Sequence, residues 1–175
     1  MNNRVGLGTF PLADVFSHVS EDNAKNIIRQ FIKSGGYYID TAPMYGFGKV
    51  EVLLGEVLKE FSRDQYFIVT KCGYIDVEGK TFKTIQKSGK YDDVIRECNI
   101  SLKRMGLDYI DLYFMHSPDP NTPAGETIKA MVELKKQGKI KEIGVSNVNL
   151  AELKEYNENG DVKFIQNRFS LINQS

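Results

Sequence analysis

Short apolar runs alternate with longer amphipathic stretches along the whole chain, and this alternation restricts the fold more than any other feature. The apolar runs fall at residues 4–8, 37–40, 66–70, 109–115, 140–145 and 163–166. Between them the apolar residues recur at helical spacing. Ser20 is placed to cap a helix, with Glu21 and Asp22 in its first turn; Ala24, Ile27, Ile28, Phe31 and Ile32 follow at that spacing, and Gly35-Gly36 stops it. Further helices are predicted over 50–59, over 91–105 with Gly106 as the stop, from the Asp119–Pro123 turn to Gln137, and over 150–157. Strands that alternate with helices predict parallel pairing with helical crossovers. The polar stretch 77–90, with Gly79, Gly89 and several lysines, predicts a long loop that could act as a flap.

Three of the strand runs stop on, or just before, a titratable residue: Asp40, Lys71 and His116. Tyr45 follows the first of them in Ala42-Pro43-Met44-Tyr45-Gly46. In parallel α/β barrels the C-terminal strand ends are where chemistry is built. Alone, each residue has an ordinary reading: a turn aspartate, a packed loop aromatic, a surface lysine, a strand-end histidine. Together they form the set needed to protonate a carbonyl oxygen while a hydride reaches its carbon. Tyr45 would be the general acid. Lys71 would lower the phenol pKa, Asp40 would keep Lys71 charged, and His116 would orient and polarise the carbonyl. No side chain donates a hydride, so a cofactor is implied.

The motifs Asp40-Thr41-Ala42-Pro43-Met44-Tyr45-Gly46, Gly144-Val145-Ser146-Asn147 and Phe164-Ile165-Gln166-Asn167, in that order, resemble those of the aldo-keto reductases. The resemblance implies a TIM-type (β/α)8 barrel and reduction of aldehydes or ketones to alcohols. It implies Asp40, Tyr45, Lys71 and His116 as catalytic residues. It also implies NADPH, or NADH, as cofactor, with Ser146, Asn147 and Gln166 on the nicotinamide carboxamide, Thr9 near the nicotinamide ribose, and Asp40 among the cofactor-binding residues. Ser146 and Asn147 have a second reading, as the cap of the following helix. A non-catalytic, cofactor-sensing regulatory protein, similar to the potassium-channel beta subunits, is the alternative the same resemblance allows.

A complete barrel of this type needs roughly 250 residues, and this chain has 175. The expectation is therefore one aldo-keto reductase-like domain over residues 1–175, truncated after the sixth strand, with about six parallel strands and outer helices. A fragment, a barrel completed by another chain and an inactive relative all fit that length. Open edges near Val5 and Phe164 would invite self-association.

Lysine plus arginine and aspartate plus glutamate number 23 each, so no net positive field favours nucleic acid. The two cysteines, Cys72 and Cys98, form no CxxC and suggest a reduced, cytoplasmic protein without a metal cluster. No signal-peptide run and no membrane-length apolar stretch is present. A small carbonyl compound is the expected partner. Gly6-Leu7-Gly8-Thr9-Phe10-Pro11 puts proline at the third glycine position of a dinucleotide fingerprint, and Gly46-Phe47-Gly48-Lys49 lacks the spacing of a P-loop.

Overall fold

The computed structural model describes residues 5–76 and 85–172. Six parallel strands form one sheet: β1 (Leu7–Gly8), β2 (Tyr38–Asp40), β3 (Phe67–Cys72), β6 (Ile110–Met115), β7 (Ile140–Ser146) and β8 (Phe164–Gln166), in that spatial order. Helices α1 (Glu21–Lys33), α2 (Lys49–Leu58), α3 (Tyr91–Met105), α4 (Ala124–Lys136) and α5 (Leu150–Tyr156) make the crossovers. The result is a half-barrel, with each strand beside the one that follows it in the parallel series.

The helices begin and end where local chemistry dictates. The Ser20 hydroxyl accepts from the Asn23 N–H at 3.3 Å and caps α1. Gly106 ends α3 with φ +65°, a left-handed conformation that glycine adopts at little cost. The expected cap by Ser146 or Asn147 does not form. Asn149 caps α5 instead, its Oδ1 accepting from Ala151 and Glu152, while Glu152 accepts from the Asn149 N–H.

Side chains alternate across the sheet, and the two faces have different company. Ile39, Ile68, Cys72, Tyr113, Met115, Ile143 and Val145 face the helices and join the main core with Ile28, Leu54, Val94 and Met131. Each such fully buried aliphatic side chain is worth about 1.5–3 kcal/mol. The concave face carries a smaller cluster of Val69, Leu112 and Phe114, flanked by Tyr38 and Phe67. Gly144 belongs to this layer because a Cβ there would lie 2.4 Å from Phe114 Cε1.

The sequence reading differs from the structure in one element. The stretch 77–90, expected to be a loop, contains the strand β5 (Ile85–Lys87), which pairs antiparallel with β4 (Tyr74–Asp76) just before the stretch. These strands are too short to show a period-2 pattern. Residues 77–84 of the expected flap lie outside the described residues, as does Arg4 of the expected first strand. At the sheet edge, Phe164 and Ile165 of β8 are about half exposed. No helix among the described residues is long and apolar enough to cross a membrane.

Candidate active site

Strand alternation explains why the predicted residues converge. In β2 the concave face takes Tyr38 and Asp40; in β3 it takes Phe67, Val69 and Lys71. Leu112 and Phe114 face the same way in β6, and His116 continues their spacing. Gly144 and Ser146 of β7 pair in register with Phe164 and Gln166 of β8. Asp40, Lys71, His116, Ser146 and Gln166 therefore all sit at the C-terminal end of the half-barrel, above its inner apolar layer.

Lys71 is almost completely buried, and its ammonium has three polar partners. Nζ donates to Asp40 Oδ1 at 2.6 Å, to the Thr41 carbonyl at 2.9 Å and to the Tyr45 hydroxyl at 3.5 Å. Burial pulls the Lys71 pKa below its ordinary value, and the Asp40 carboxylate opposes that pull most strongly. His116 is shifted in the same direction. Burial and the Lys71 charge depress its pKa to about 3, so its imidazole is neutral near pH 7. A neutral imidazole beside an ammonium is a hydrogen-bonding group, not a second cation.

Tyr45 reaches the cluster from the loop after β2. Its ring packs against Phe10 (centroids 5.1 Å apart) and stands edge-on to His116 (6.2 Å). Tyr74 also stands edge-on to His116, at 5.0 Å. One sequence expectation fails at this point: the Tyr45 pKa is raised by burial and by the Asp40 carboxylate, not lowered by Lys71. The physical reason is geometric. The ammonium is neutralised by Asp40 at 2.6 Å and stands at the limit of hydrogen-bond reach from the phenol. The resting site holds a protonated phenol.

Ser146, Asn147 and Gln166 lie together on the opposite wall. Ser146 Oγ donates to the Gln166 carbonyl at 2.7 Å. Asn147, exposed and held at φ +56°, donates from Nδ2 to the His116 carbonyl at 2.8 Å. Gln166 reaches across the concave face and donates from Nε2 to Asp40 Oδ2 at 2.8 Å. Thr9 is fully buried, and its hydroxyl donates to the Asp40 carbonyl at 2.9 Å. A carboxamide needs both donors and acceptors, and the two primary-amide side chains supply both at one wall. This donor set fits a nicotinamide. Thr9 retains only acceptor capacity for a ribose. Among the described residues, no cluster of histidine, cysteine, aspartate or glutamate could hold a metal ion.

The aldo/keto reductase family profile matches residues 4–175. The chain belongs to the aldo/keto reductase family. Among curated relatives it is 33% identical to an NADH-specific methylglyoxal reductase of Escherichia coli, over 99% of this chain and 57% of that protein. It is 35% identical to an aldo-keto reductase of Bacillus subtilis, over 97% of this chain and 51% of that protein. Among solved structures it superposes on a glycerol dehydrogenase from Gluconobacter oxydans with a TM-score of 0.89 and 29% identity, covering 98% of this chain and 53% of that one. An aldo-keto reductase from Klebsiella pneumoniae in complex with NADPH gives a TM-score of 0.71 and 29% identity, over 86% of this chain and 47% of that one. The chain thus spans about half the length of the family members it matches.

Sequence reasoning missed the layer behind the strand-end cluster. Glu51 on α2 is fully buried and accepts from Thr70 Oγ1 at 2.9 Å and from Arg104 Nη1 at 3.0 Å. The available signal was an acidic residue in line with Leu54 and Leu58 on an otherwise apolar helix face. A cleft of about 490 Å³ is lined by Met44 and Phe47 of the loop that carries Tyr45, and by Tyr74, Ile75 and Ile100, with Arg96 and Arg104 among its polar residues.

Proposed function

We propose that this chain carries the catalytic residues of an NADPH- or NADH-dependent carbonyl reductase that converts aldehydes or ketones to alcohols. The observation that carries the reading is the Lys71 ammonium, fixed by Asp40 at 2.6 Å and within 3.5 Å of the Tyr45 hydroxyl, with neutral His116 alongside. A bound nicotinamide would supply the hydride.

The side chains then have separable tasks. His116 donates a hydrogen bond to the substrate carbonyl oxygen, which orients and polarises it. Tyr45 gives its hydroxyl proton to that oxygen as negative charge develops there. The phenolate left behind is stabilised by the Lys71 ammonium, and solvent restores the proton. Asp40 keeps Lys71 charged in a place where burial alone would neutralise it. Ser146, Asn147 and Gln166 would hold the carboxamide of a bound nicotinamide, and Gln166 would then give up its bond to Asp40. By the same resemblance Thr9 would lie near the nicotinamide ribose, and Asp40 would be part of the cofactor site. The E. coli relative's name makes methylglyoxal the first substrate to assay, and the two free, buried cysteines suit the cytoplasm.

The reading is tested by titrating the purified chain with NADPH and with NADH, followed by nicotinamide fluorescence. Saturable binding that weakens in Gln166→Ala is expected. No binding at millimolar concentration of either cofactor would remove the reading.

A further inference from the structure

We infer that Arg104 is a positioning residue for Tyr45, clamping the Tyr45 loop to the strand that carries Lys71. The inference rests on the reading of Tyr45 as the proton donor. Its starting point is the backbone after that residue. Gly46, Phe47 and Gly48 have φ of +59°, +53° and +89° in succession. A phenylalanine in the left-handed region is unfavourable and persists only where the surroundings hold it there.

Arg104 supplies that hold. It lies in the last turn of α3, and its guanidinium covers Gly48. A Cβ at Gly48 would fall 2.3 Å from Arg104 Cζ, 2.5 Å from Nε and 2.6 Å from Nη1. Three near-equal distances mean that the flat group lies over this position, so a side chain there would displace the guanidinium. Arg104 Nη1 then donates to Glu51 Oε2 at 3.0 Å, while Glu51 Oε1 accepts from Thr70 Oγ1 at 2.9 Å. Thr70 precedes Lys71 on β3 and points to the opposite face. The guanidinium, the buried carboxylate and the threonine hydroxyl thus join the Tyr45 loop to the Lys71 strand from behind.

The backbone of Arg104 is fixed as well. A Cβ at Gly55 of α2 would lie 2.7 Å from the Arg104 carbonyl oxygen, so α2 and α3 touch closely at this residue. The precision matters because the Lys71–Tyr45 separation of 3.5 Å is already at the outer limit of a hydrogen bond. A further 1 Å would break it, and a misplacement of that size can cost about 10²-fold in rate.

The test uses the full chain labelled with ¹³C at the tyrosine Cζ, the Tyr45 signal being assigned by its loss in Tyr45→Phe. Arg104→Gln should shift the Tyr45 resonance and bring its titration midpoint down toward the free phenol value of about 10. Arg104→Lys, which keeps a charge for Glu51 but no planar group over Gly48, should do the same more weakly. This second variant decides the matter if Arg104→Gln does not fold. Arg29→Gln, which breaks a surface ion pair with Glu60, should leave Tyr45 unchanged. In turnover, kcat should fall about 100-fold with the cofactor KM unchanged. An unmoved Tyr45 resonance and titration, with only the unfolding midpoint lowered, would overturn the positioning role. A wild-type chain without turnover would count against the proton-donor reading alone, and the Tyr45 signal would still decide the clamp.

Discussion

The depressed pKa of His116 makes the stability of this chain depend on pH in a defined window. The ordinary histidine value is 6.5, and in the folded chain burial and the Lys71 charge lower it to about 3. Between these values the unfolded chain binds a proton that the folded chain does not. Stability is therefore full above about pH 6.5, falls as pH drops through the window, and stops falling below about pH 3. The loss from pH 7 to pH 5 is RT times the logarithm of the ratio of the unfolded-state binding polynomials, which gives about 2 kcal/mol. Urea unfolding at the two pH values, for wild type and His116→Gln, isolates this contribution because titrations common to both proteins cancel. The wild type should lose about 2 kcal/mol more than the variant over this range. Equal losses would mean that His116 is not held neutral by its surroundings, and the site description would fail there.

Other outcomes follow from the same geometry. Asp40→Asn leaves the buried Lys71 ammonium without a counter-charge, so the chain should be about 3–5 kcal/mol less stable by urea unfolding at pH 7. At the exposed β8 edge, Ile165→Lys should reduce any self-association of the chain seen by sedimentation velocity, since a lysine on an edge strand discourages pairing.

Much of the half-barrel and the placing of the candidate residues was legible in the sequence because both rest on short-range periodicity. Period-2 alternation that ends on Asp40 or Lys71, or one residue before His116, fixes which face and which end those residues occupy. The helix caps and stops at Ser20 and Gly106 are equally local. Four features were not legible. The β4–β5 hairpin has strands of three residues each, too short for a pattern. The cap of α5 fell on Asn149 because it is the residue placed to form a reciprocal capping box with Glu152, which left Ser146 and Asn147 free for other contacts. The Tyr45 pKa depends on the competition of Asp40 and burial against Lys71, and that balance is set by distances no sequence records. The Glu51–Arg104 contact joins residues 53 positions apart through the packing of α2 on α3, so only the assembled fold displays it.

The most direct test of the central claim is steady-state reduction of methylglyoxal by the wild-type chain and by Tyr45→Phe at saturating NADPH, repeated with NADH. The account predicts measurable turnover by the wild type and a loss of about 10²–10⁴-fold in Tyr45→Phe, with cofactor binding retained. Turnover that survives the substitution within a few-fold would contradict the assignment of Tyr45 as the proton donor.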